Sequence, residues 1–447
     1  MHSINRWLLL LVIAACCTLP ARTLGRESES PVSRLESPSA QAAATPQVKL
    51  PPGISLDVPL TEEDAMTIAL WNNAAFRADL EAMNIAKADL MEAGQLRNPT
   101  LQLLLPFGYK QFEMLFNLPA EVLWQRPARV QAARIEVERV AQNLEQSGLD
   151  FMRDVRSAYW NLALSVDRRK LAEDAARLRR EILTITEARL RAGDISEQEA
   201  IAARLDLSEA EQQSARSVRE QALIKGRLRY LIGLENDRLD FSISSRSATS
   251  DTSAGGALSP EPSLEALQAE AFASRPDLQG AVFAIEAAAK RAKWERSRLF
   301  AFAGLLSIKR GAGLDLSPRG GILAELPVFQ QNQGAITRAD AEVERAGIQY
   351  LATHHRIAQE VREAHSLFLQ ARDSLQHYQN RIVPQAEQGV KLAEMGYRAG
   401  DESYLFVLEA GRRLIDARVR EVELLNDRRQ ATVQLDRSIG RKHDINR

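Results

Sequence analysis

Two long stretches of the chain place apolar residues in alternating steps of three and four. The first runs through Val130, Ala133, Val137, Val140 and Leu144 to Phe151, Val155, Ala158 and Leu162, with Ser147 as its polar member. The second runs through Ile336, Ala339, Val343, Ala346 and Tyr350 to Ile357, Val361, Ala364 and Phe368, with Thr353 in the matching place. Such spacing is the seam of a coiled coil, and the extra step of four, Phe151 to Val155 and Ile357 to Val361, is the same stutter in both. Helix packing accounts for these positions, so they are read as core and not as a ligand-binding stripe. Over 127–193 and 334–400 the one internal proline is Pro384. At 1.5 Å per residue each stretch predicts a helix about 100 Å long. The second should kink at Pro384, which lacks a backbone donor and crowds the preceding turn. Gly193 and Gly400 are each followed by Asp and soon by Ser. Glycine lets the chain reverse and Asp or Ser caps the next helix, so each long helix folds back as an antiparallel hairpin.

Ahead of each long helix the period changes to two. Leu101, Leu103, Leu105 and Phe107 alternate with other positions, as do Phe112, Met114, Phe116 and Leu118, with a turn near 108–110. In the second half Phe300, Phe302, Leu306 and Ile308, a glycine-rich connection, and then Ile322, Ala324, Leu326 and Val328 give the same signature. These are strand pairs. Each strand is roughly eight or nine residues long, where a membrane-crossing strand takes about nine to eleven.

The two halves are copies. Arg191-Ala192-Gly193-Asp194-Ile195-Ser196 recurs as Arg398-Ala399-Gly400-Asp401-Glu402-Ser403, Leu231-Ile232-Gly233 as Ser438-Ile439-Gly440, and Glu136-Val137-Glu138-Arg139 as Glu342-Val343-Glu344-Arg345. Matches kept in order at nearly constant separation mark a duplication. The first repeat spans 56–243 and the second 263–442, each reading helix, strand pair, long helix, returning helix. Ser-, Pro-, Ala- and Thr-rich segments form a flexible leader at 16–55 and a linker at 244–262, and 443–447 is a short tail.

Charge and composition narrow the function. With 58 basic and 59 acidic residues interspersed, no broad field marks a nucleic-acid partner. Aromatic residues are only 6% of the chain, a balance suited to long helices. Residues 1–15 read as a signal peptide, with Arg6 before an apolar run too short to span a bilayer. Ile13-Ala14-Ala15-Cys16 resembles a bacterial lipoprotein cleavage box, in which Cys16 becomes the acylated first residue; ordinary cleavage near Ala21 is the other reading. Cys16 and Cys17 are the only cysteines, so the exported part holds no internal disulfide.

These features together resemble the TolC-like outer-membrane efflux proteins. The repeat openings at Thr61-Glu62-Glu63-Asp64-Ala65 and Ser263-Leu264-Glu265-Ala266-Leu267 resemble the family's, as do Arg275-Pro276-Asp277-Leu278, Val383-Pro384-Gln385-Ala386-Glu387 and Tyr397-Arg398-Ala399-Gly400-Asp401. Leu326-Pro327-Val328-Phe329 followed by Asn332-Gln333-Gly334 is similar to the strand-to-helix passage, especially of the metal-cation efflux branch. The first copy departs from the pattern at Asn72-Asn73-Ala74-Ala75, where the second has Arg275-Pro276-Asp277.

The resemblance implies a mainly α fold with a small β portion. Duplicated helical hairpins of three identical subunits would form a trimeric α-barrel tunnel, capped by a twelve-stranded β-barrel to which each subunit gives four short strands. It implies a channel subunit in the cell outer membrane with a periplasmic extension, passing substrate from a periplasmic adaptor and inner-membrane pump to the exterior. The adaptor would dock on the tips, Arg191, Gly193, Asp194, Arg398, Gly400 and Asp401, and Glu409 would line a periplasmic gate. The alternative is a periplasmic coiled-coil lipoprotein with a scaffolding role.

Catalytic chemistry finds no purchase. There is no glycine-rich phosphate loop, HExxH or nucleophile elbow. Histidines His354, His355, His365 and His377 lie in one predicted helix, and the steps between the pair and the other two are about three turns, too long to share one ion within a subunit. The chain is therefore read as no enzyme, without cofactor or metal site.

Overall fold

The computed structural model of the chain describes residues 50–104, 112–119, 122–234, 240–244, 263–298, 301–310, 316–325, 328–399 and 401–441. Cys16, the expected signal and leader up to residue 49, Gly400, all of the expected linker after Ser244, and the expected tail lie outside them.

The first half comprises α1 (Glu62–Asn72), α2 (Ala74–Gly94), β1 (Thr100–Leu104), β2 (Phe112–Pro119), α3 (Val122–Ala192) and α4 (Glu197–Leu231). The second repeats the order with α5 (Leu264–Ser274), α6 (Pro276–Ser297), β3 (Ala301–Arg310), β4 (Leu316–Glu325) and α7 (Gln333–His377). A π-helical turn (Tyr378–Ile382) then leads into α8 (Val383–Ala399), and α9 (Tyr404–Ile439) returns. α3 has 71 residues, a rod of about 105 Å. The seams bury Val155, Ala158 and Leu162 in α3 and Ile357, Val361 and Ala364 in α7.

Each repeat opens with a helix that is broken in two, where the periodicity suggests one. In the first half the break falls at Asn73. Its carboxamide oxygen caps α2 by accepting from Phe76 N–H at 3.0 Å, and its NH2 group donates to the Leu231 carbonyl at 3.0 Å. In the second half Arg275 holds the break, Pro276 opens α6, and the guanidinium donates to the Ser438 carbonyl at 3.1 Å. Leu231 and Ser438 occupy matching places in the returning helices. An amide in one copy and a guanidinium in the other thus tie the opening helices to the same point, which explains the departure at Asn72-Asn73. Gly233 and Gly440 end those returning helices with φ of +70° and +80°. Each lies close against its break: a Cβ on Gly233 would come within 2.8 Å of Asn72 Cβ, and one on Gly440 within 3.1 Å of Arg275 Cγ.

Arg275 is wholly buried. It pairs with Asp277 and Glu360, each at 2.6 Å, while Arg437 reaches Glu360 at 2.5 Å and Asp150 at 2.6 Å. One ionic cluster therefore joins α3, α6, α7 and α9. Burial opposes the charge on Arg275, but Asp277 and Glu360 outweigh it and hold the guanidinium pKa above its ordinary value.

Just before Pro384, where a kink is expected, the chain forms a π-helical turn. Val155 answers Val361 across the repeat, whereas Thr186 answers Ala393, so the second copy gains one residue between those points. Both Thr186 and Ala393 are fully buried, so the seam is in phase again before the tip. The extra residue is taken up by the π turn just before Pro384. A π turn widens the helix locally, where proline would otherwise crowd the carbonyl of Asn380.

The strands form one antiparallel sheet in the order β1-β2-β3-β4. β3 and β4 have ten residues each, longer than the period-two runs suggest, and β2 has eight. Among the described residues, nothing pairs with the outer edges of β1 and β4.

Candidate functional site

The sheet has two unlike faces. Across the strands Leu101, Phe116, Leu306 and Gly320 lie in one row, Leu103, Met114, Ile308 and Pro318 in the next, and Leu118, Gly304 and Ile322 in a third. Side chains alternate along a strand, so these three rows share a face, and all three are apolar. Nothing described in the chain covers it: Leu101, Leu103, Leu118, Leu306 and Ile322 are exposed, Ile322 at 80%. The opposite face carries Gln102, Glu113, Asn117, Ser307, Lys309, Ser317 and Arg319 among several leucines. There the Glu113 carboxylate accepts from Lys309 Nζ at 3.0 Å and from Ser307 Oγ at 3.1 Å.

At the far end of the helices lie the tips. The first closes as a Schellman motif, which satisfies the last carbonyls of α3. Gly193 is left-handed at φ +81°, its N–H donates to the Leu190 carbonyl at 3.0 Å, and Asp194 N–H donates to the Arg189 carbonyl at 3.0 Å. Ser196 caps α4 by accepting from Glu199 N–H at 3.3 Å. Arg191 is exposed, with Nε donating to the Glu187 carbonyl at 3.2 Å. The second tip differs. Asp401 and Glu402 N–H groups both donate to the Gly396 carbonyl, at 2.9 and 3.2 Å. The Glu402 side chain lies so close that a Cβ on Gly396 would sit 2.6 Å from its Cγ. Ser403 makes no side-chain cap. Arg398 is in the last turn of α8, and Gly400 lies outside the described residues.

Glu409 sits on α9, exposed, paired with Arg413 at 3.0 Å one turn on. Near the tips a cleft of about 470 Å³ separates the hairpins, lined by Ile182 and Ile185 of α3, Val390 of α8, and Val407 and Leu408 of α9. Arg189 bridges it, its guanidinium 4.6 Å from the Tyr397 ring centroid. Large apolar side chains also stand exposed along the outsides of the hairpins, among them Leu205 and Leu223 on α4, Leu351 and Leu367 on α7, and Leu392 on α8.

Sequence reasoning missed the cluster around Arg275, whose partners are far away in the chain; its only local sign was a charged residue between a helix end and a proline. Of the four helix histidines, His354 stacks on Phe272 with centroids 4.0 Å apart. No group of His, Cys, Asp or Glu that could hold a metal occurs among the described residues.

Residues 267–441 match the outer membrane efflux protein family. The chain is also similar to the cobalt-zinc-cadmium resistance protein CzcC of Cupriavidus metallidurans, 27% identical over 391 residues that cover 86% of the chain and 90% of CzcC. Among solved structures, CusC, described as forming a transmembrane channel, superimposes with a TM-score of 0.71 at 19% identity, covering 86% of this chain and 92% of CusC. VceC of Vibrio cholerae, an outer membrane protein, does so at 0.68 and 18%, covering 85% and 96%. At such identities the two structures establish the fold alone: long helical hairpins with a small four-stranded sheet.

Proposed function

We propose that three copies of this chain form a passive efflux channel, their sheets closing a twelve-stranded barrel through the outer membrane and their helices a periplasmic tunnel. The observation that carries this reading is the sheet itself: two edges without a partner among the described residues, one face with three successive apolar rows, the other polar. Lipid leaves no unpaired backbone satisfied, so a sheet in a membrane must close on itself, and four strands are too few to enclose a bore. The exposed apolar residues on the hairpins supply surface for neighbouring copies. No helix among the described residues is long and apolar enough to cross a membrane, so the strands are the candidate span. Purified chain reconstituted in a planar bilayer should give discrete single-channel conductance, and complete absence of conductance would defeat the reading in favour of the periplasmic scaffold.

Finer roles rest on the same reading. The tips, with exposed Arg191 beside a rigid turn at Gly193 and Asp194, and Arg398, Gly400 and Asp401 in the second copy, dock a periplasmic adaptor that couples the channel to an inner-membrane pump. In the double Arg191→Asp, Arg398→Asp variant, adaptor cross-linking should fall while trimers persist. Threefold repetition of Glu409 gathers carboxylates at the entrance and favours cations, which Glu409→Gln should weaken. Similarity to CzcC supports divalent metal cations as cargo. Cys16, if acylated, adds a lipid anchor, readable by mass spectrometry of the mature amino terminus.

A further inference from the structure

The polar face of the sheet is electrically uneven along its length. β2 runs into α3 and β4 runs towards α7, so Pro119, Ala301 and Glu325 mark the helix side of the sheet, while Phe112, Arg310 and Leu316 mark the side away from it. On the polar face the described charges of the far half are Glu113, Lys309 and Arg319. Glu113 already engages Lys309 at 3.0 Å and Ser307 at 3.1 Å. That leaves Arg319, exposed and facing Ser307 across the β3–β4 ladder, as the surplus charge of the far half.

We propose that Arg319 is a selectivity-determining residue of the exit half of the conduit: three copies form a ring of guanidinium groups that favours small anions over cations. The inference rests on the barrel reading, since it takes the apolar face to point to lipid and the polar face to the bore. Substitutions on a barrel's bore face tune selectivity without removing lipid contacts, and a charged ring in a narrow low-dielectric bore biases the ions that enter. The effect is ionic, so it fades with salt: the screening length is about 10 Å at 0.1 M and about 3 Å at 1 M. Glu113 offsets Lys309, so its removal should add to the same bias.

The test is the reversal potential of the reconstituted channel in a KCl gradient. Arg319→Gln should shift the permeability ratio towards potassium by roughly twofold or more at low salt, Arg319→Glu further, and Glu113→Gln towards chloride. Inorganic triphosphate added to one compartment should block wild-type current from that side only, and Arg319→Gln should lose the block. Running the series in a Glu409→Gln background removes the entrance carboxylates as the source of any shift. Arg319→Gln carries the test if the Glu variant does not assemble. Conducting Arg319→Gln channels with the wild-type reversal potential and an intact triphosphate block would overturn the inference and leave the channel reading standing. A wild type that never conducts would overturn both.

Discussion

Gly193 and Gly233 share a left-handed backbone but not a neighbourhood. Around Gly193 nothing lies within 4 Å of where a Cβ would be, whereas at Gly233 the Asn72 side chain and carbonyl stand at 2.8 and 2.9 Å. Gly193→Ala should therefore cost only the left-handed penalty, about 1–2 kcal/mol, and Gly233→Ala distinctly more, because backbone must move. Thermal unfolding of the two variants in one detergent would order them. Tyr159 gives a second residue-scale prediction. Its hydroxyl lies 3.0 Å from both the Leu60 and Ser244 carbonyls, clamping the start of α1 to the segment after α4, and burial pushes its pKa up to about 12. A phenol whose pKa is raised on folding contributes stability that is full below its unfolded value of about 10 and is lost as pH climbs towards the folded value. Stability should thus fall between about pH 10 and 12, and a Tyr159→Phe chain, weaker at neutral pH, should show a shallower alkaline decline. Of these features the sequence made only the tip glycine legible. Gly193 announces itself by ending a periodic run, but Arg275 finds Glu360 across 85 positions, and a single sequence carries no sign of such a pairing.

Among the elements, the seams were readable because a coiled-coil period is local: each apolar residue and its neighbours three and four places on are enough to define it. The hairpin turns and the strand pairs were readable for the same reason. The breaks at Asn73 and Arg275 were not, since the apolar pattern runs on past them and the bond that fixes each comes from the other end of the repeat. The π turn lies between these cases. Its trace in the sequence is a drift of one residue in the spacing between copies, visible only when matches before and after it are compared. If the turn exists to house that residue, deleting Asn380 together with Pro384→Ala should leave a continuous α-helix from α7 into α8. Amide exchange across 378–383 should then slow towards the rate of the neighbouring turns, while exchange as fast as in wild type would count against this account.

For the whole molecule, the sidedness of the sheet is open to a paired test. Leu305 and Leu306 are adjacent residues of the same type on opposite faces. On the barrel reading, Leu306→Arg puts a charge into lipid, a cost of about 2–4 kcal/mol near the bilayer centre, and Leu305→Arg puts it into the bore at little cost. Folding into lipid vesicles, followed by protease resistance, should fail or slow for the first and proceed for the second. Equal behaviour of both would remove the distinction between the faces. The fold was legible from order and repetition alone, but the number of chains was not, because no residue spells it out.

That number has a geometric origin in the two unpaired edges. In the proposed assembly β4 of one chain meets β1 of the next, a head-to-tail contact in which each copy uses two different surfaces. Such a contact carries no instruction to stop: it makes a ring if the turn contributed by each copy divides a full circle, and a filament if it does not. The curvature of four strands, and not any specific bond, would therefore do the counting. A change in strand twist or length could then alter how many chains assemble, or turn a closed pore into an open fibre, without touching a single residue at the junction.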